Sequence, residues 1–152
     1  MNRVALVAED CELPPWAPRL ESFVHRVLDV LKKDRWEVSL VLCTNTLITE
    51  LNAQYRGKNE STDVLSFELG ETYQDEEGEE VFLAGDLVIS LETLEENARY
   101  FNVSVDEELR RLVIHGILHL AGMDHATNDQ EEPMLILQEQ ILAELSEEKV
   151  LL

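Results

Sequence analysis

Three of the chain's four histidines lie in one short apolar segment, HGILHLAGMDH, with the spacing H-x3-H-x5-H. Side chains four residues apart on a helix project from the same face, so His115 and His119 can bind one metal ion. Gly122 follows His119 by three residues, where a residue that tolerates positive φ allows a helix to end. The turn would bring His125 to the same ion, and the segment therefore predicts a three-histidine metal site.

Three protein ligands would leave one coordination position open. Structural zinc sites usually have four protein ligands, whereas catalytic sites keep a position for water. Zinc suits an all-imidazole site, and nickel and copper can also bind one. A metal held in this way lowers the pKa of its water toward neutrality. We therefore expect hydrolytic chemistry, with about one divalent metal per chain, zinc in first place.

The elements that must position these histidines follow from the hydrophobic periodicity. The order β-α-β-α-β-β-α-α-α predicts a single α/β domain over residues 1–152, with a mixed sheet of about four strands covered by helices. The histidine helix is apolar nearly all round, which predicts that it is buried. Strands are predicted over 4–8, 36–43, 62–69 and 81–90, and helices over 20–31, 47–55, 91–101, from Ser104 into the histidine motif, and after Thr127.

Several boundaries are marked by local signals. Ser104 with Glu107, and Thr127 with Gln130, fit capping boxes that would start the last two helices. The segment PPWAP (14–18) is expected to be a stiff connection outside any helix. The acidic segment ETYQDEEGEE (71–80) is expected to form a solvated loop between two strands.

Composition limits the class of protein and its partners. With 152 residues, 45% of them apolar and 29% charged, the chain is typical of a globular domain. No apolar run is long enough to span a membrane and the N-terminus lacks signal-peptide features, so a cytoplasmic location is expected. Cys11 and Cys43 are too few for a disulfide framework.

The formal net charge of −20 restricts nucleic-acid binding. Nucleic-acid-binding proteins usually carry a basic face, because neutralising phosphates supplies most of the non-specific affinity. Much of the acidic excess is local, with six carboxylates in 71–80 and seven more in 129–148. The composition therefore argues against tight, non-specific binding to duplex, and no DNA partner is expected, but a local positive groove remains compatible with it.

Three ordered segments of the chain resemble one protein family. HGILHLAGMDH (115–125) resembles the signature of the YbeY family of bacterial ribosomal RNA maturation factors. LNAQYRGKNESTDVLSFEL (51–69) and AGDLVIS (84–90) are similar to two further blocks of that family, in the same order. The resemblance implies a metal-dependent, single-strand-specific endoribonuclease of ribosomal RNA maturation and ribosome quality control. It also implies that His115, His119 and His125 are zinc ligands and that Arg56 lies near the metal.

Gly116 separates this motif from that of the zinc proteases. Metzincin proteases share the ligand spacing but carry glutamate after the first histidine, where it polarises water and protonates the leaving amine. Without this carboxylate, peptide hydrolysis lacks the group that activates water and protonates the leaving amine. A phosphodiester is less demanding, because its oxygens can bind the metal and an arginine can stabilise the negative transition state. Arg56 is the candidate for that catalytic role, against the alternative of a surface arginine paired with a nearby carboxylate.

Three function classes remain open from the sequence. The first is the metal-dependent ribonuclease, and the second is a metallohydrolase of another substrate, including a weak protease. The third is a ribosome-associated assembly factor whose metal mainly holds the fold. The open coordination position favours the enzymes. The net charge of −20 supports the third class, and suggests that ribosomal or ribosome-associated proteins deliver the RNA.

Three carboxylates within the matched segments are further candidates for a role in the site. Asp124, next to His125, is expected to orient an imidazole or cap the turn rather than to act as a base. Asp63 and Asp86 lie at strand edges and are expected to be structural hydrogen-bond acceptors.

Overall fold

The computed structural model describes residues 1–151 and contains the predicted order of elements. The strands are β1 (Arg3–Ala8), β2 (Trp36–Cys43), β3 (Val64–Gln74) and β4 (Glu80–Ser90). The helices are α1 (Ala17–Val30), α2 (Asn45–Arg56), α3 (Leu91–Phe101), α4 (Val105–Leu120) and α5 (Pro133–Glu144). No helix within these residues is long and apolar enough to cross a membrane.

The strands form one mixed sheet with the order β1-β2-β4-β3. β1 pairs with β2, and β2 with β4, in parallel, whereas β3 and β4 form an antiparallel hairpin at one edge. The parallel pairs require crossover connections, which α1 provides between β1 and β2. The predicted α/β class with a four-stranded mixed sheet is confirmed.

The two faces of the sheet carry cores of different size. Successive side chains of a strand point to opposite faces, so Leu87 and Ile89 of β4 join the larger core, which includes residues of α1, α3, α4 and α5. Val88 points the other way, into a small cluster with Cys43 and with Ile48 of α2. Helix α4, which carries His115 and His119, therefore lies on the more thickly covered side of the sheet.

Helix α4 packs very closely on β4, and two glycines permit the approach. A Cβ atom at Gly116 would lie 2.7 Å from Leu87 Cδ2. A Cβ atom at Gly85 would collide with the carbonyl oxygen of Phe67 and lie 2.9 Å from Leu120 Cδ2. Eleven residues of α4 are buried, as its nearly continuous apolar surface predicts. This contact fixes the depth of the helix that carries His115.

The acidic segment 71–80 contains the solvated hairpin connection that was expected, but the loop is shorter than predicted. β3 continues to Gln74 and β4 begins at Glu80, which leaves a tight turn at 75–79. Asp75 closes the turn by accepting from the backbone N–H groups of Glu77 and Glu79. Four of the six carboxylates lie in this turn, and all six except Asp75 are exposed to water, so their charge is compatible with the hairpin.

Two helix starts also differ from their expected positions. α1 begins at Ala17, inside PPWAP, because a proline in the first turn lacks only an N–H that would have no helical partner. α5 begins at Pro133 rather than near Thr127, since the residue before a proline is disfavoured in helical conformation, and Glu132 is extended. The predicted box at Thr127 is therefore wrong, whereas Ser104 caps α4 by accepting from Glu107 N–H.

Candidate metal centre

The structure brings the three predicted histidines together. One ring nitrogen each of His115, His119 and His125 lies within 4.8 Å of the others, and the Nε2 atoms of His115 and His119 are 3.1 Å apart. Two nitrogen ligands of a tetrahedral zinc ion are separated by about 3.3 Å, given zinc–nitrogen bonds of about 2.0–2.1 Å. The His115–His119 pair thus has the spacing of two ligands of a small divalent metal, and His125 lies close enough to be the third.

The end of α4 makes this convergence possible. His119 lies in the last turn, and Gly122 has φ 90°, the positive value expected from the sequence. Met123 N–H donates to the carbonyl of Leu118 and Gly122 N–H to that of His119, which is the double closure of a Schellman motif. The reversal leads the chain back so that His125 faces the two helical histidines.

Every Nδ1 atom of the three histidines faces an oxygen that can only accept. The pairs are His115 with Gln138 Oε1 (2.7 Å), His119 with the carbonyl of Met123 (3.1 Å) and His125 with the carbonyl of Thr127 (2.8 Å). Each Nδ1 must therefore carry the proton in the neutral ring, which leaves Nε2 as a free electron pair. This is the arrangement by which proteins orient metal-binding histidines.

The donor set is poorly satisfied without a cation. With both Nδ1 atoms protonated, the Nε2 electron pairs of His115 and His119 face each other at 3.1 Å, and neutral rings have no hydrogen to place between them. A metal ion shared by the three rings removes this repulsion. The residues present therefore fit a zinc-like metal on chemical grounds as well as on distance.

Burial favours the neutral form of His115. Desolvation lowers the pKa of His115, and the neighbouring His119 and His125 lower it further, against an opposing contribution from Gln138. A lowered pKa means that the ring is uncharged at neutral pH and loses this state only as the pH falls. An uncharged imidazole is the form that binds metals.

The residue after His115 is packed closely against the sheet. Gly116 faces the sheet, and even a Cβ atom there would press on Leu87. A glutamate at this position would therefore require Leu87 to shift within the apolar core. This packing favours glycine at the position where the proteases carry glutamate.

Arg56 is the last residue of α2, and its side chain is exposed. Gly57, with φ 68°, ends the helix directly after it. Within residues 1–151 the Arg56 guanidinium forms neither an ion pair nor a hydrogen bond, so the paired-surface alternative is not observed. Its donors are therefore available to a ligand.

Asp124 caps the turn beside the histidines. Its Oδ1 accepts from His125 N–H at 2.8 Å and lies 4.0 Å from His119 Nδ1. Since its side chain is 87% exposed, the carboxylate points mainly to solvent. The expected capping role fits this geometry.

The other two carboxylates differ from each other. Asp63 accepts hydrogen bonds from Val64 N–H and from Asn97 Nδ2, as expected of a structural acceptor. Asp86 is partly buried, and burial raises its pKa, but within residues 1–151 its carboxylate accepts no hydrogen bond. The expectation for Asp86 was therefore wrong, because it projects from β4 onto the thinly covered face.

Gln138, the partner of His115, was not predicted from the sequence. Gln138 lies on α5 and is only 7% exposed, yet its side chain contributes to the site. Gln138 is separated by 23 residues from His115, and only the packing of α5 on α4 brings them together. A buried glutamine among the apolar positions of a predicted helix is the one signal that could have indicated it.

Comparison with known proteins identifies the family. The family model for Endoribonuclease YbeY matches residues 9–146. The chain belongs to the YbeY endoribonuclease family. The YbeY relative named "Endoribonuclease YbeY" in Treponema denticola is 52% identical over 124 residues, which cover 82% of this chain and 80% of the relative. The protein of the same name in Treponema pallidum (strain Nichols) is 47% identical over 144 residues, covering 95% and 90%. The predicted resemblance to the YbeY family is confirmed.

A solved structure is also similar to this fold. The solution structure of a Thermotoga maritima protein matches with a TM-score of 0.61 and 32% sequence identity. The match covers 95% of this chain and 90% of that protein. The sheet and the surrounding helices therefore agree with an experimentally determined relative.

Proposed function

We propose that this chain is a metal-dependent, single-strand-specific endoribonuclease that acts in ribosomal RNA maturation and ribosome quality control. Membership of the YbeY endoribonuclease family supports RNA as the substrate. The observation that carries the metal dependence is the convergence of three histidines whose Nδ1 atoms are all committed to oxygen acceptors. His115, His119 and His125 are the proposed ligands, with zinc favoured over nickel or copper.

In this proposal the histidines bind the metal and Arg56 binds a phosphate of the substrate. When bound, a zinc ion supplies Lewis acidity and lowers the pKa of water. The three histidines hold the ion and leave one side open for substrate. Arg56, exposed and unpaired within the described residues, offers a planar fork of donors that stabilises negative charge on a phosphate. The residue after His115 is Gly116, which packs against Leu87, so the chain carries no protease-type carboxylate at this position.

The charge of the molecule bears on how RNA reaches the site. At −20, the surface repels a polyanion over long distances. Ribosomal RNA presented by ribosomal or ribosome-associated proteins in the cytoplasm would overcome this repulsion, and these are the proposed partners. The same charge favours a second candidate function, an assembly factor whose metal mainly stabilises the fold.

A comparison of substrates tests the proposal. Zinc-loaded protein is incubated with single-stranded RNA, duplex RNA and casein, with and without a chelator, followed by zinc add-back. We expect cleavage of single-stranded RNA alone, lost with the chelator and restored by zinc. Cleavage of casein would instead support the protease, and a loss of folding without any nuclease activity would support the structural metal.

A further inference from the structure

Only one of the three histidines depends on another side chain for its orientation. His119 and His125 donate from Nδ1 to backbone carbonyls, whereas His115 donates to the side-chain oxygen of Gln138 at 2.7 Å. A backbone carbonyl within an ordered turn is already fixed in direction. A glutamine amide can rotate, and its oxygen and nitrogen can exchange places. The orientation of His115 therefore depends on what holds Gln138.

Gln138 is oriented by the residue that follows it. Its Nε2 donates to Glu139 Oε2 at 3.0 Å. A carboxylate can only accept, so the amide nitrogen must face Glu139 and the amide oxygen must face His115. Glu139 thus selects which end of the amide meets the imidazole.

Glu139 is in turn held by an arginine of α4. Arg111 donates from Nε to Glu139 Oε2 at 3.0 Å and from Nη2 to Oε1 at 3.2 Å, a two-point contact. Arg111 also donates to Glu107 at 3.2 Å and to Glu108 at 3.3 Å. Because Arg111 lies one helical turn before His115, the chain of hydrogen bonds returns to the helix from which it started.

We propose that Arg111, Glu139 and Gln138 form a hydrogen-bonded chain that sets the tautomer and the ring orientation of His115, so that its Nε2 faces those of the other two histidines. Gln138 is a positioning residue in this chain, since it acts through His115. The inference rests on the proposed metal site. Substitution of a residue that hydrogen-bonds to a metal-binding histidine typically weakens metal binding by about 10- to 100-fold.

The first test measures zinc affinity by competition with a chromogenic chelator. Gln138→Leu, which keeps the volume of a buried side chain, is expected to weaken zinc binding about 10-fold or more. Gln140→Leu is the matched control, because Gln140 is an exposed glutamine of the same helix. The zinc affinity of this variant should equal that of the wild type. Unchanged affinity in Gln138→Leu would overturn the proposal.

A double-mutant cycle separates the chain from simple charge effects. Glu139→Ala is expected to weaken zinc binding, and the residue is exposed enough (53% of its side chain) for the fold to tolerate the change. If Glu139 acts through Gln138, its substitution has no further effect in the Gln138→Leu background. If it merely attracts the cation, the loss is the same in both backgrounds, which would contradict the chain.

The tautomer of His115 can also be measured in the metal-free protein, which tests the hydrogen-bonded chain independently of metal binding. Long-range ¹H–¹⁵N spectra at about pH 8, where histidines are neutral, report the tautomer of each ring. We expect Nδ1–H for His115 in the wild type and a shift toward Nε2–H in Gln138→Leu, with His119 and His125 unchanged. An unaltered His115 tautomer would refute the chain, whereas failure of the wild type to bind zinc would refute the metal site instead.

Discussion

At the scale of single residues, the pattern that predicted the site is local. His115, His119 and Gly122 lie within one helix and its end, so their spacing determines their geometry, and the positive φ of Gly122 was foreseeable. Gln138 was not foreseeable as the partner of His115. That contact depends on how α5 packs against α4, and sequence periodicity gives no such information.

Arg56 provides the sharpest prediction at this scale. Arg56→Ala should keep the fold and the zinc but lower RNA cleavage about 100-fold or more, because a phosphate-stabilising donor is removed. Arg56→Lys should rescue only in part, since a point charge cannot reproduce two-point binding. Turnover of single-stranded RNA by zinc-loaded protein measures both.

Arg99→Ala is the matched control for this prediction. Arg99 is also exposed, in the last turn of α3, and should be dispensable for cleavage. If Arg56→Ala lowered thermal stability while activity per folded molecule stayed the same, Arg56 would be structural and the catalytic assignment would reduce to the metal ligands.

At the scale of elements, the end of α4 determines whether three histidines make one site. Gly122→Val should weaken zinc binding, because a β-branched residue at φ 90° costs about 1–3 kcal/mol of backbone strain. A Cβ atom at Gly122 meets no neighbour within 4 Å, so the effect comes from the backbone alone. Chelator competition gives the affinity.

Gly78→Val is the control for Gly122→Val, because it introduces similar backbone strain away from the histidines. Gly78 has φ 79° and open space around it, but it lies in the β3–β4 turn. This variant should lose comparable stability and keep its zinc affinity. Equal zinc affinity in Gly122→Val and wild type would show that the reversal at Gly122 does not position His125.

The β3–β4 hairpin is the place where the predicted bounds of the elements were wrong. Six carboxylates in 71–80 indicated a solvated loop, but paired backbone groups and the turn at Asp75 continue both strands. Four of these carboxylates lie in the turn at 75–79, and only Glu71 and Glu80 lie in the strands. Composition alone therefore could not decide between loop and ribbon.

At the scale of the whole molecule, the C-terminal segment is tied to the helix that carries the site. Asp106 of α4 accepts from Val150 N–H at 2.7 Å, from Leu151 N–H at 2.8 Å and from Arg110 Nε at 2.8 Å. Burial alone would raise the pKa of Asp106, but these donors outweigh it and the pKa is lowered. The ionised carboxylate is thus favoured by the fold.

This linkage gives a prediction with a defined dependence on pH. Since folding lowers the pKa of Asp106, its contribution to stability is complete above the ordinary value of 3.8 and is lost as the pH falls below it. Asp106→Asn should reduce the free energy of unfolding by about 2–4 kcal/mol at neutral pH, because Arg110 loses its buried partner.

Urea unfolding at a series of pH values measures the effect. The difference between Asp106→Asn and wild type should shrink in acid, while Asp29→Asn, at an exposed position of α1, should differ little from wild type at any pH. A difference that did not depend on pH would show that Asp106 does not contribute through its charge.

Stepwise zinc titration of the metal-free protein tests the central claim most directly, with bound metal and cleavage of single-stranded RNA measured in the same samples. We predict that cleavage rises in proportion to occupancy and levels off at about one zinc per chain. We also predict that His119→Ala neither binds tightly nor cleaves, because two imidazoles hold zinc poorly. Full cleavage by the metal-free protein, or tight binding and cleavage by His119→Ala, would contradict a three-histidine metal centre.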